Sequence, residues 1–319
     1  MVQMISTTLP DDIFNNQLLD FLDDASLDKL KGNMVSNKQN TNIHNKIVSR
    51  RIYNFDDYLK LPEQDRKHVK YIIYDNPHSR INAGVLPNGL KYLDILCGYD
   101  YSFDVGVLPK NLTHLTVKGS FCRAFTNEDY FPDGLTYLET GWGYDKPFLP
   151  GVLPDNLQVL KLGSAYNHTF LPGVLPKYLQ HLRLGDCYNK PFDENVLPNH
   201  LNKITFGPKY NKPIKRGVLP DSLKELSFGL DFNQPIGENV YPPGLTHLKF
   251  SAVYNHHGDE IVYHPKWMRR SSYNQRFGEN NVLPPRLEFL QLPPFYVHSI
   301  PLYTPQSLVY VSYGFSKES

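Results

Sequence analysis

The residues best equipped for chemistry in this chain form one cluster and one recurring column. His256-His257-Gly258-Asp259-Glu260, with His264 close behind, offers nitrogen and oxygen donors of the kind that hold zinc. It falls where the regularity described below breaks, so a polar loop is the expected reading. Cys97, Cys122 and Cys187 include no pair at metal-ligand spacing, and three is a poor number for a disulfide framework. A reducing compartment is the simplest setting for them. His114, His181 and His247 recur at one position of a repeat, three repeats apart each time. At ~4.8 Å per strand that is about 14 Å, too far to share an ion. No glycine-rich phosphate loop, nucleophile elbow or zinc-finger spacing is present. The expectation is a non-catalytic protein with no catalytic residue, no cofactor and no metal.

The recurring column belongs to a repeat that organises most of the chain. Prolines fall at Pro87, Pro109, Pro132, Pro154, Pro176, Pro198, Pro220 and Pro242, with steps of 22 residues and one of 23. Pro284 follows 42 residues later, read from the sequence as nearly two periods. Counted from each proline, position +3 is always Leu, from Leu90 to Leu287. Position +6 is Leu except for Ile204, and +8 is apolar except for Thr140. Position +12 is always aromatic: Tyr99, Phe121, Tyr144, Tyr166, Tyr188, Tyr210, Phe232, Tyr254 and Tyr296. Position +13 is Asn at Asn167, Asn189, Asn211, Asn233 and Asn255. A fixed period of this size marks stacked supersecondary units, each too small to bury its own apolar face.

The step from +6 to +8 is the period-two step of a strand with both side chains on one face. Gly at or near +9 ends that strand, and Pro, lacking a ladder donor, sits where the chain bends. About a dozen residues return to the next strand, with Pro and Asn among them, so extended chain and tight turns are expected there rather than a long helix. The +13 amides suit a buried role satisfying main-chain groups of neighbouring turns. The resulting fold class is a leucine-rich-repeat-like solenoid: about ten 22-residue coils with a parallel β-sheet on the concave face, behind a short α-helical N-terminal segment. The expected division is 1–60 for that segment, an F-box-like unit or an N-terminal cap, and 61–319 for the solenoid. His68 to Tyr74 reads as a first strand with Val69, Ile72 and Tyr74 inward. Pro305, Leu308, Val311 and Tyr313 restore the register at the C-terminal end.

Positions +5 and +7 flank the inward +6 and must point away from the core. They vary: Tyr92 and Asp94, His114 and Thr116, Tyr137 and Glu139, Val159 and Lys161, His181 and Arg183, Lys203 and Thr205, Glu225 and Ser227, His247 and Lys249. Lys161, Arg183 and Lys203 form a basic centre, with Asp94 and Glu139 toward one end. Aromatic, imidazole and mixed charged groups on a rigid sheet suit protein recognition. A net charge of +1 gives no global field to attract nucleic acid or an anionic membrane. No apolar run approaches the length of a membrane span. The N-terminus MVQMISTTLPDD has neither the basic nor the apolar region of a signal peptide. A cytoplasmic protein binding another protein on its concave face, and neither nucleic acid nor membrane, is the expectation.

The motif resembles the FNIP repeat of social amoebae and of giant viruses of the mimivirus type, whose setting would be the host cytoplasm. Phe232-Asn233-Gln234-Pro235-Ile236 is the nearest copy of the naming motif. Tyr144-Asp145-Lys146-Pro147-Phe148, Tyr188-Asn189-Lys190-Pro191-Phe192 and Tyr210-Asn211-Lys212-Pro213-Ile214 are variants. The resemblance covers roughly 66–319 and implies a leucine-rich-repeat-like fold. Several relatives carry an F-box before the repeats, and Leu9, Pro10, Ile13, Leu18, Phe21 and Leu22 resemble its opening. That resemblance implies docking to a Skp1-type adaptor and substrate recruitment for an SCF-type ubiquitin ligase. The segment departs from the pattern by one extra residue between Ile13 and Leu18, and the polar stretch from Ser36 to Asn45 obscures a third helix. A helical cap over the first coil, in a scaffolding protein with no ubiquitin-ligase link, is the alternative.

Overall fold

The computed structural model describes residues 51–52, 54–96, 98–125, 130–250, 272–277, 283–293, 296–299 and 305–312. The chain divides into two compact units, 1–51 and 52–319. The F-box-like residues Leu9, Pro10, Ile13, Leu18, Phe21 and Leu22 lie outside the described residues.

The second unit is a coil repeated along one sheet. Its elements are β1 (Arg51–Ile52), α1 (Phe55–Lys60), α2 (Glu63–Arg66), β2 (Tyr71–Tyr74), β3 (Tyr92–Ile95), β4 (His114–Val117) and β5 (Tyr137–Thr140). There follow β6 (Val159–Lys161), β7 (His181–Arg183), β8 (Lys203–Thr205), β9 (Glu225–Ser227), β10 (His247–Lys249), β11 (Phe289–Gln291) and β12 (Tyr310–Ser312). The strands pair in chain order, and β2 to β12 are parallel. Among the described residues no helix follows β2. The short return path leaves room only for extended chain and turns.

The columns read from the sequence are the register of the sheet. Leu93, Leu115, Leu138, Leu160, Leu182, Ile204, Leu226, Leu248 and Leu290 stand opposite one another from strand to strand, all buried. The +12 rings stack behind them. Tyr144, Tyr166, Tyr188, Tyr210 and Phe232 follow at 6.2, 6.4, 6.1 and 6.1 Å between centroids. Thr140, the one polar residue at +8, is buried because its hydroxyl accepts a 3.1 Å hydrogen bond from the Gly163 amide. Each coil then turns at its proline, where the +3 amide donates back to the proline carbonyl, as in Leu112 to Pro109 at 2.9 Å.

The asparagine column is a ladder. Oδ1 of Asn167, Asn189 and Asn211 each accepts the backbone N–H of the next Asn, at 3.0 Å. Asp145 begins the series, accepting from Asn167 N at 3.3 Å. The amides are half-buried rather than sealed in the core.

Glycine is required at +9. A Cβ on Gly185 would collide with the carbonyl oxygen of Gly163, one coil earlier, so neighbouring backbones meet there directly. A second column escaped the sequence reading. Gly151, Gly173, Asn195, Gly217 and Asn239 all have φ between 56° and 84°. They turn the chain into the buried Val-Leu, or Val-Tyr, pair before each proline. Glycine enters the left-handed region without steric cost, and Asn is the side chain that best tolerates it.

One expectation is corrected. Pro242 to Pro284 is one coil, not nearly two, because β10 pairs directly with β11, Leu248 opposite Leu290. Both ladders run on from Phe232 and Asn233 to Tyr273 and Asn274. Tyr273 stacks on Phe232 at 6.0 Å and Asn274 N donates to Asn233 Oδ1 at 3.0 Å. Tyr273-Asn274-Gln275-Arg276-Phe277 is therefore the true copy of the motif, with Arg in place of Pro. The compact unit that holds the coils begins at 52. Helix α1 belongs to it, because Phe55 is buried with its ring 4.6 Å from that of Tyr74, and Tyr58 donates its hydroxyl to the Val85 carbonyl at 2.8 Å. Asn54 caps this helix by accepting from the Asp56 amide at 2.8 Å. Val69, Ile72 and Tyr74 are buried, as the strand pattern implied.

Candidate recognition face

Strands β3 to β10 position every residue of the expected binding face. The side chains on either side of each buried +6 residue project from the sheet opposite the core, as the period of two requires. Tyr92, Asp94, His114, Tyr137, Glu139, Lys161, Arg183, Lys203, Glu225, His247 and Lys249 are half-buried, and His181 is exposed. Their partial cover comes from one another, since parallel in-register strands place like positions side by side. Thr205 and Ser227 depart from expectation. At 5% and 4% exposure they are buried.

One end of the face is aromatic and acidic. Tyr71, Tyr92, His114 and Tyr137 stack in sequence, with centroids 6.1, 4.5 and 5.4 Å apart. Two phenols orient the two carboxylates. Tyr71 donates to Asp94 Oδ2 at 2.5 Å, and Tyr137 donates to Glu139 Oε2. Burial pushes the Tyr137 phenol well above its ordinary range, and the adjacent Glu139 charge adds to this, so the phenol stays a donor. Thr113 gives its hydroxyl proton to the Lys91 carbonyl at 3.0 Å, so its oxygen, 2.9 Å from His114 Nδ1, accepts from the imidazole. Burial lowers the His114 pKa, with Asp94 opposing.

The middle of the face is basic, as expected, but its cations are engaged. Lys161 lies 3.8 Å from Glu139 Oε2 and 5.2 Å from the centre of the Tyr137 ring. Lys203 donates to Glu225 Oε2 at 2.7 Å. Burial opposes ionisation of Glu225, but the hydrogen bond and charge of Lys203, with His247 and His181, outweigh it and hold its pKa low. Burial lowers the His181 pKa too, helped by Lys203 and Lys161 against Glu225. The histidines thus sense opposite surroundings, Asp94 at His114 and lysines at His181. They sit on β4, β7 and β10, three strands apart, and do not meet.

Three features of this surface were not read from the sequence. Tyr71 extends the aromatic stack into β2. Phe289 stacks with His247 at 5.7 Å, and Lys249 lies 5.4 Å from the centre of its ring. Trp142, 61% exposed, stands on the turn after β5, between Gly141 and Gly143. The Gly-Trp-Gly triplet was its only sequence signal. Among the described residues no group of three or more His, Cys, Asp or Glu side chains is placed to hold a metal ion. The His256 to His264 cluster lies outside them. No helix among the described residues is long and apolar enough to cross a membrane.

Comparison with known proteins agrees with the geometry. The FNIP Repeat family model matches residues 79–120, 126–165, 166–209 and 210–252, more than half of the chain. No curated protein matches. Among solved structures, CroV588, described as a novel circular LRR protein, is 29% identical with a TM-score of 0.57 over 77% of this chain. YopM from Yersinia enterocolitica is 20% identical over 77% of this chain, with a TM-score of 0.36. The chain spans 43% of the first and 53% of the second.

Proposed function

Because the chain belongs to the FNIP repeat family, a scaffold of the leucine-rich-repeat type, we propose that it is a non-catalytic protein-recognition module whose ligand docks on the outer face of β2 to β10. The observation that carries this is the division of labour within each strand. The +6 residue is Leu or Ile on every strand from β2 to β10 and serves the core, whereas +5 and +7 change and present rings and charges to the outside. A rigid sheet that orders such groups in advance lowers the entropy cost of binding.

The test uses the full chain as bait in cross-linked cell lysate, beside a variant carrying K161E, R183E and K203E. A control variant reverses the charge of Lys177, which lies off these strands. Proteins captured by the unmodified chain and by the control, but lost from the triple variant, are the expected result. An identical captured set from all three would overturn the reading.

The finer reading is that the chain recruits substrates to an SCF-type ubiquitin ligase through a Skp1-type adaptor. Its support is the sequence around Leu9, Pro10, Ile13, Leu18, Phe21 and Leu22. Replacing Leu9 and Pro10 with Ala should abolish Skp1 capture and leave the melting temperature unchanged. A lower melting temperature without Skp1 capture by either form would favour the cap in a scaffolding protein.

A further inference from the structure

Three histidines share the +5 position of the outer face, and one of them is set differently from the others. His114 and His247 each bring Nδ1 to the hydroxyl of the preceding threonine, at 2.9 and 3.0 Å. Each also stacks on a ring of an adjacent strand, His114 on Tyr92 and Tyr137, His247 on Phe289. His181 follows Gln180, has Val159 and Lys203 beside it in the sheet register, and is exposed.

The charged residues around His181, on the outer face of its own strand and of the two beside it, are all cations. Arg183 shares β7 with it, Lys161 stands on β6 and Lys203 on β8. Glu225 lies one strand further and accepts from Lys203 at 2.7 Å, and His247 and Lys249 follow on β10. From β6 to β10 the fixed cations Lys161, Arg183, Lys203 and Lys249 face the single carboxylate of Glu225. Counting Glu139 on β5, 3.8 Å from Lys161, still leaves an excess of positive charge. A lysine engaged with one carboxylate keeps donors for another, because its ammonium carries three N–H groups. Charge complementarity therefore selects an anionic ligand, and length narrows it. The strip spans about 19 Å, which about six residues of extended chain can cross. Glu139 and Asp94 beyond it repel a long polyanion such as a nucleic acid.

We propose that an acidic peptide segment of the docking protein crosses β6 to β10, and that protonation of His181 strengthens its hold. The proposal rests on the recognition reading above and names the partner's chemistry. In the free chain burial lowers the His181 pKa, helped by Lys203 and Lys161 against Glu225. Ligand carboxylates placed among these cations offset the lysines and raise it. A group whose pKa rises on binding takes up a proton on binding, so affinity increases as pH falls through the histidine range. Burial opposes ionisation of Glu225, but Lys203 holds its pKa low, so Glu225 stays charged across that range.

Calorimetric titration of the full chain with acetyl-hexaaspartate-amide at low salt tests this, at about pH 7.5 and about pH 5.5, either side of the ordinary histidine pKa. Hexaaspartate stays ionised at both values, and hexauridylate serves as the nucleic-acid comparison. Hexaaspartate should bind about fivefold more tightly at the lower pH, with net proton uptake. H181Q should reduce that gain to below about twofold, whereas H114Q, on the acidic half of the face, should keep it. E225Q removes the chain's own competing carboxylate and should strengthen binding at the higher pH. A melting temperature of H181Q close to that of the unmodified chain would confirm that the site, not the fold, has changed. No hexaaspartate binding, tighter binding of hexauridylate, or a gain on acidification that H181Q keeps would overturn the inference. If the lysate capture still depends on Lys161, Arg183 and Lys203 in that case, the recognition face stands and only its acidic, proton-linked ligand falls.

Discussion

The two faces of the sheet are built from the same short strands, yet they obey different rules. Inward, Leu160, Leu182 and Ile204 repeat one size and one chemistry, and Tyr166, Tyr188 and Tyr210 stack behind them at a near-constant step. Outward, Glu139, Lys161, Arg183 and Thr205 occupy equivalent positions as an acid, two bases and a hydroxyl. Translation symmetry explains the difference. A side chain that packs against its own copy one coil away must be a shape that stacks on itself, so repetition is physically imposed on the inside. Nothing imposes it outside, and a ligand without that repeat selects a pattern without it.

The largest way to break the contrast is to open the inside. Leu182→Ala, at a residue 1% exposed, should lower stability by about 2–5 kcal/mol. Chemical denaturation followed by circular dichroism would measure it, and a loss below 1 kcal/mol would show a loosely packed stack. Gly185→Ala comes next, at about 1–3 kcal/mol, because its methyl group meets the Gly163 backbone and two coils must separate to admit it. The same denaturation series checks this.

Acidification probes the outside with smaller effects. His114 has a lowered folded pKa, so the unfolded chain binds the proton more readily and stability falls as pH drops through the ordinary histidine range. H114Q should flatten that part of a melting-temperature profile between neutral and mildly acidic pH. Glu225 also has a lowered folded pKa, so its contribution is present above the unfolded carboxylate range and is lost as pH falls through the folded value. Both partners are about 40% exposed, so solvent screens the Lys203 pair, and E225Q should change stability by less than about 1 kcal/mol at neutral pH. A greater loss would place this pair among the supports of the fold.

The legibility of the sequence follows the same division. Leu at +6 and the rings at +12 could be read because stacking forces identity, and alternation then separated Tyr92, Asp94 and their like from the buried column, Thr205 and Ser227 excepted. Regularity also misled. Tyr254-Asn255 follows the 22-residue count, but strand pairing chose Tyr273-Asn274, which lies out of count and joins both ladders. The Gly and Asn turn column was written in the sequence at Gly151, Gly173, Asn195, Gly217 and Asn239. Its meaning lies in a backbone angle that a mixture of two residue types hides. Thr205 and Ser227 sit at outward positions by alternation yet are buried, which no spacing rule encodes.

The contrast between the faces is tested most directly by one comparison of melting temperatures, Asn211→Ala against His181→Ala. Asn211 Oδ1 accepts from the Asn233 amide at 3.0 Å and from Gln234 Nε2 at 2.9 Å, so its loss strands donors of the next coil. That should cost about 1–3 kcal/mol. His181 stands exposed on the outer face, and its replacement should change stability by no more than about 0.5 kcal/mol. A clearly lower melting temperature for the Asn211 variant alone is the predicted result. Equal melting temperatures would contradict the assignment of inner columns to the fold and outer columns to recognition.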